Sequence, residues 1–331
     1  MKKEPVWSII LQEILLTGLF LCVFALFHHV LPRMGYLQQK TMEPVALSTA
    51  APIESAEPEE PEEEIDPNDW RAKFSEHFTD EIVWTENSYS SPNVSITITT
   101  CQEEIDGSPQ VWYVADIYVA QIENLQSYAE NDSYSRYLVS RAERLAELSQ
   151  GLITINGDYS NAQVNGGFFV RNGVLYNDIK TAYDICVLYW DGTMETYGPD
   201  EYTVEEILEK EPYQVWCFGP MLLDGDGQPL ETLNAGYAIS ISNPRSAIGY
   251  YEPGHYCFIT VDGRQYDWSE GLDIQQLAQL MSDLGCRAAY NLDGGASALM
   301  TFHGSEYSRQ STTRNLGDIV LIRELEEEQG E

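Results

Sequence analysis

The stretch Asn291–Met300, NLDGGASALM, follows the apolar run CRAAY and sets a carboxylate, two glycines and several small residues between two apolar segments. An Asp-Gly pair in that setting is a strong short-range hairpin signal, because type I′ turns take positive φ at both central residues. The expectation is a hairpin with Asp293 and Gly294 at its tip and the flanking strands paired to each other. Whether Asp293 is only a turn former depends on what the rest of the chain brings beside it.

Just upstream, LDIQQLAQLMSDLG (272–285) places Leu272, Ile274, Leu277, Leu280, Met281 and Leu284 on one helical face, and Gly285 ends the helix. A second helix is expected in SRYLVSRAERLAELSQG (135–151), where Leu138, Ala142, Leu145 and Leu148 recur at helical spacing and Gly151 occupies the left-handed position beyond the cap. Between and around these helices the chain alternates like strands. VSITITTC and QVWYVADIYVAQI flank the turn EEIDGSP, while GGFFVRNGVLY and DICVLYWDGTMETYG form hairpins tipped by Asn172-Gly173 and Asp191-Gly192. Thr203 and Glu206 have capping-box spacing ahead of a short helix. YAISISNPRSAIGYY reads as a strand interrupted at Asn243-Pro244-Arg245. The fold class expected is α+β, with mixed, mainly antiparallel sheets and two core helices in a single catalytic domain behind an N-terminal transmembrane helix.

That helix rests on SIILQEILLTGLFLCVFALFHHVL after the basic MKK, a run long enough with its flanks to span a bilayer. No small-residue cleavage site follows Phe27, so an uncleaved signal anchor is favoured over a cleaved signal peptide. The expected organisation is a cytoplasmic tip and membrane anchor over residues 1–37, an acidic Pro/Glu-rich linker over 38–68, the catalytic domain over 69–323 and an acidic tail over 324–331. The domain would then lie outside the cytoplasm at the cell membrane. The balance of 53 acidic against 18 basic residues gives a formal charge of −35, which disfavours nucleic acid as a partner. Six cysteines show no C-x-x-C and no metal-finger spacing.

Four segments combine polar side chains with sharp turns at the ends of apolar runs: INGDYS, SNPRSAIGY, NLDGGASAL and TTRNLGD. Each alone fits a structural turn equally well, since Asn, Asp and Gly dominate turns for backbone reasons. Arg245 fits either an internal ion pair with a core Asp or an anion receptor, because its planar fork matches carboxylate and phosphate alike.

Taken in order with VRNGVLY, CFGPMLLDGDG and VDGRQYDWSEG, these segments resemble the phosphodiester glycosidase family over about residues 90–322. That family includes enzymes that remove N-acetylglucosamine from a sugar-1-phosphate diester, and many bacterial exopolysaccharide-related proteins of the cell envelope. The resemblance implies a site built from Asn156 and Asp158, from Asn243, Arg245 and Ser246, from Asn291, Asp293, Gly294, Gly295 and Ser297, and from Arg314 and Asp318. The sequence departs from the family pattern at Ala296 and Ala298, where a glycine and a serine are usual.

In a sugar-1-phosphodiester the leaving group is already good, so the chemistry needs carboxylates for an oxocarbenium-like transition state and fixed donors for the departing phosphate. Asp293 and Asp158 are the expected carboxylates, with Asn156 beside them. Arg245 and the backbone N–H groups of Gly294 and Gly295 are the expected phosphate ligands, while Asn243, Ser246, Asn291, Ser297, Arg314 and Asp318 orient substrate. No organic cofactor is called for, and a carboxylate-rich site could hold Ca²⁺. The DGDGQPL segment reads as a plain turn rather than a calcium loop, being too short for one. The rival to hydrolysis is a glycan- or envelope-binding module that keeps the fold without turnover, motivated by Ala296 and Ala298.

Overall fold

The computed structural model describes residues 45–46, 66, 68–132, 134, 139–159, 167–312 and 314–325. The chain divides into residues 1–43, all outside that range, and residues 44–331, which carry everything described below. The expected membrane anchor, most of the acidic linker and Leu138 of the first expected helix therefore fall outside the described residues. Among the described residues no helix is long and apolar enough to cross a membrane.

Three sheets make up the domain. The first runs β15-β13-β14-β5-β4-β3-β2, from β2 (Val83–Trp84), β3 (Ser88–Ser90), β4 (Val94–Ile105), β5 (Ser108–Val119), β13 (Arg245–Glu252), β14 (His255–Val261) and β15 (Ala288–Asn291). The second runs β1-β9-β8-β12-β10-β11, from β1 (Val45–Ala46), β8 (Phe168–Arg171), β9 (Val174–Asp178), β10 (Ile185–Tyr189), β11 (Met194–Tyr197) and β12 (Pro212–Trp216). The third runs β17-β16-β7-β18-β6, from β6 (Leu125–Tyr128), β7 (Ile153–Asn156), β16 (Met300–Phe302), β17 (Ser305–Glu306) and β18 (Ile319–Ile322). Every ladder pairing among the described residues is antiparallel, so the parallel component of the expected mixed sheets does not appear there.

Local turn chemistry explains much of this. Asp106-Gly107 joins β4 to β5 and Asn172-Gly173 joins β8 to β9, all four residues with positive φ as type I′ hairpins need. Five α-helices accompany the sheets: α1 (Trp70–Lys73), α2 (Ala142–Ser149), α3 (Val204–Glu209), α4 (Tyr237–Ser240) and α5 (Ile274–Asp283). The capping box of α3 forms as expected, and α5 has its own between Asp273 and Gln276. Helix α5 buries Ile274, Leu277, Ala278 and Met281 against the first sheet, each large apolar side chain contributing about 1.5–3 kcal/mol. Helix α2 covers the third sheet with Ala142 and Leu145. It ends on a left-handed Gln150 rather than at Gly151, whose missing Cβ instead lets Thr154 Cγ2 approach to within 2.7 Å of where that Cβ would stand.

Two expectations fail. YAIS forms helix α4 instead of a strand. More consequentially, the strands flanking NLDGG do not pair with each other: β15 pairs with β13 in the first sheet and β16 with β7 in the third. The segment is a crossover between sheets. Gly294 is extended, with φ −125°, and Gly295 alone in this segment takes positive φ, at 62°.

Candidate active site

The crossover matters because it carries Asp293 into a cleft between strand ends. Asn156, Gly157, Asp158, Asp293, Ser297, Arg314, Leu316 and Asp318 line that cleft, so five of the expected polar side chains beyond Asp293 meet there. β7 delivers Asn156 and then Asp158, β15 leads into Asp293, and Asp318 immediately precedes β18. A wider surface depression of ≈ 720 Å³ lies along α2 near Gly304. Its rim holds exposed ion pairs such as Arg144–Glu130 and Arg141–Glu143, and none of the expected site carboxylates, which gather in the smaller cleft instead.

Behind the cleft sits a buried trio. Arg171 Nη2 is 3.0 Å from Asp158 Oδ2 and 3.2 Å from Asp318 Oδ2, and its Nε is 3.2 Å from Asp318 Oδ2, all three side chains being fully buried. Arg171 also donates to the carbonyls of Val170 and Val215. Burial works against the guanidinium charge, yet Asp318 and Asp158 hold its pKa above the ordinary value. One cation cannot neutralise two carboxylates, and Asp158 has the single contact against two for Asp318. Burial accordingly pushes the Asp158 carboxyl up, against the pull of Arg171 and the Cys217 N–H. Its second oxygen, Oδ1, is buried without a hydrogen-bond partner. Gly157 is required here, since a Cβ would stand 2.3 Å from Asp318 Oδ1.

Asp293 differs in being open. Its side chain keeps 15 % exposure, and its Oδ2 lies 3.9 Å from Nη1 of Arg314, itself 45 % exposed. The Gly294 N–H donates to its Oδ1 at 2.9 Å. Burial raises its pKa, while the Ser297 hydroxyl, Arg314 and the Gly294 N–H pull it down and Asp158 adds to the rise. Asn156 does not face outward: its Nδ2 donates to the carbonyls of Gly157 and Asp293, and its Oδ1 accepts from the Ser246 hydroxyl and the Leu299 N–H. With all four amide positions used, Asn156 and Ser246 position the crossover rather than a ligand.

Arg245 is not brought to this cleft. Strand parity puts Ser246 and Arg245 on opposite faces of β13, and Arg245 donates to the carbonyls of Leu272, Ile239 and Ile241 beside α4 and α5. Burial draws its pKa down to about 10. Asn243 is spent in the same region, donating to Ala238 and Ile241 carbonyls. Asn291 donates to the Gly219 carbonyl at 2.9 Å. The expected phosphate nest is also absent from the turn, because the Gly294 N–H goes to Asp293 and the Gly295 N–H to the Pro244 carbonyl at 2.9 Å.

Arg171 and Arg264 escape the sequence argument. Arg264 donates through Nε and Nη2 to Asn243 Oδ1 and lies against the turn, its Nη2 2.9 Å from where a Cβ on Gly295 would stand. Arg171 had a usable signal: a lone cation in the apolar run GGFFVRNG must be buried, and a buried cation needs carboxylates. Among the described residues no three His, Cys, Asp or Glu side chains gather as a metal-holding group. Arg171 stands between the two best-placed carboxylates, so the donor set does not favour Ca²⁺. The Asp224–Gly227 segment is a simple turn, Asp224 Oδ1 accepting from the Asp226 and Gln228 N–H groups.

Comparison with known proteins agrees with this architecture. The model of the phosphodiester glycosidase family matches residues 149–323, more than half of the chain. The SPbeta prophage-derived uncharacterized protein YomE of Bacillus subtilis (strain 168) is 32 % identical over 167 residues, 48 % of this chain and about a quarter (26 %) of the relative. The catalytic domain of zebrafish N-acetylglucosamine-1-phosphodiester alpha-N-acetylglucosaminidase, auto-inhibited by its pro-peptide, superposes with a TM-score of 0.59 at 20 % identity, covering 74 % of this chain and 88 % of that one. At that identity the likeness is one of fold, and the family match carries the assignment: this chain belongs to the phosphodiester glycosidase family.

Proposed function

We propose that the protein hydrolyses the glycosidic bond of a sugar-1-phosphate diester in a cell-surface or extracellular glycan. The observation that carries this is the pairing of a partly exposed Asp293 carboxylate with the exposed Arg314 guanidinium at 3.9 Å, in front of a fully buried Asp158–Arg171–Asp318 trio. Asp293 faces the anomeric carbon and offsets the positive charge that develops there. Arg314, with Arg264 as a second cation against the same turn, holds the departing phosphate. Asp158, fully buried on Arg171, closes the back of the cleft, and burial holds its pKa up.

Ala296 and Ala298 give little reason to prefer a binding module without turnover. Ala296 does not take positive φ, Ala298 is 5 % exposed at φ −60°, and the turn N–H groups of Gly294 and Gly295 are engaged internally. The full chain should release free sugar from a synthetic sugar-1-phosphodiester. Asp293→Asn should slow that release by at least about a hundredfold; wild-type turnover by the variant would overturn the assignment. We also place the domain outside the cytoplasm, tethered by residues 1–37, on the strength of their apolar sequence. Recovery of the full chain in the soluble fraction after carbonate extraction of membranes would refute the tether.

A further inference from the structure

Far from the cleft, the core beneath α5 holds a pair of nucleophiles that hydrolysis leaves unused. Cys257 of β14 and Cys286, which follows α5, bring their sulfurs to 3.7 Å. Both residues are buried, at 0 % and 2 % exposure, and both thiols are unbonded. Strand β13 lies between β14 and β15, and its Gly249 pairs with Cys257 on one side and with Ala289 on the other. A Cβ at Gly249 would stand 2.6 Å from Cys257 Sγ and 2.7 Å from Cys286 Sγ. The glycine thus leaves open, over the central strand, the space in which the two thiols meet.

Both backbones are held in place. Cys257 is paired on its other side with Asp116 of β5. Cys286 donates its N–H to the Met281 carbonyl at 3.2 Å, and the next residue, Arg287, donates to the Tyr250 carbonyl of β13 at 2.8 Å. From their present contact the sulfurs reach bonding distance by a side-chain movement of under about 2 Å. Met281 Cε is the third atom around the gap over Gly249, at 2.7 Å, and it ends a flexible side chain that adapts to such a movement.

We propose that Cys257 and Cys286 form a modification site, at which the protein acquires a disulfide by exchange with a disulfide-bearing oxidant. One cysteine thiolate attacks a sulfur of the oxidant and displaces its first thiolate, and the second cysteine thiolate attacks the mixed disulfide at the protein sulfur and displaces the other. The oxidant's S–S bond breaks as the protein's forms, two electrons pass to the oxidant, and the two cysteine protons end on the two thiols released. In the folded domain the Cys286 neighbour and burial push the Cys257 thiol well up, and both sulfurs are shielded. Exchange therefore takes place during folding, before the core closes over the pair. The two residues are 29 positions apart, and the ring they close contains the whole of α5. It straps the chain that leaves α5, and leads through β15 into Asp293, to β14 across the intervening strand. Outside the cytoplasm such oxidants are at hand and disulfides persist; the test supplies its own oxidant and so stands apart from that placement.

The full chain, reduced in urea and refolded in oxidised and reduced glutathione, is trapped with N-ethylmaleimide in urea and digested without reduction. Mass spectrometry should find a linked peptide pair carrying Cys257 and Cys286 that dithiothreitol separates. N-ethylmaleimide on both residues, or either of them bonded instead to glutathione or to another cysteine, overturns the site. Dithiothreitol should also lower the urea midpoint of the refolded wild type by about 1 M, the size expected for a ring of this length, and should leave the double variant Cys257→Ala/Cys286→Ala unmoved. A wild-type midpoint indifferent to dithiothreitol, or a double variant that responds as the wild type does, overturns the strap. If the double variant does not fold, the linked peptide of the wild type decides alone. Neither readout involves a substrate, so failure here and failure of the hydrolytic assignment are separate results.

Discussion

Two arginine–aspartate arrangements lie a few residues apart in this domain and behave oppositely. Arg171 is closed on every side, gripped by Asp158, Asp318 and two backbone carbonyls and packed among Phe169, Tyr134 and Trp216. Arg314 touches Asp293 at 3.9 Å and leans on Tyr159, with nearly half of its surface open. The first arrangement can exchange its partners for nothing else without leaving buried charge unpaired. The second holds its charges close enough to shape a ligand site and loosely enough to give them up to one. Burial, not residue type, separates the scaffold from the chemistry.

The largest effect should come from breaking the closed arrangement. Arg171→Met leaves two carboxylates buried without their cation and should cost about 3–5 kcal/mol of folding stability, read by urea unfolding of the full chain. Adding Asp158→Asn and Asp318→Asn to that variant should recover most of the loss, since neutralising a whole buried network is far cheaper than removing one partner. A single variant as stable as the wild type would erase the distinction drawn above. The open arrangement should respond with the other sign. Asp293 has its folded pKa raised above the ordinary 3.8, so between those values the folded state binds more protons than the unfolded one. Its contribution is therefore fully favourable below the ordinary value and is lost as pH rises through the folded pKa. Asp293→Asn, deprived of activity, should unfold no more easily than wild type at neutral pH, and a clear destabilisation there would show that Asp293 is a structural anion instead.

This contrast also explains which parts of the molecule were legible in the sequence. Helix α5 and the hairpin at Asn172-Gly173 are, because an apolar stripe closed by Gly285 and an Asn-Gly pair act within a few residues. NLDGG carries the same kind of local signal, yet the partners of its flanking strands lie about forty residues back for β15 and farther still for β16. No local pattern distinguishes a hairpin from a crossover when pairing is decided at that distance. Arg245 shows the same limit in another form. Next to Ser246 in sequence, it faces the other side of β13, and only the register of the sheet reveals which of two adjacent side chains turns toward Asn156. Asp158, Asp293, Arg314 and Asp318 were legible because each ends or precedes an apolar run, and strand ends converge.

The smallest effect is the most specific probe of the open pair. Arg314 lowers the Asp293 pKa by Coulombic attraction, and removing it leaves burial and Asp158 to raise that pKa further. If ionised Asp293 is the form that acts, the acid limb of kcat/KM follows its titration, and Arg314→Met must move that limb to higher pH. The shift should be less than about one pH unit, because a cation 45 % exposed is screened by solvent and such pairs are worth little. Arg171→Lys offers the control: it keeps the buried charge, sits behind Asp158 rather than beside Asp293, and should leave the limb where it is. A limb that ignores Arg314→Met but moves with Arg171→Lys would transfer the titrating role from Asp293 to Asp158, making the closed arrangement the reactive one.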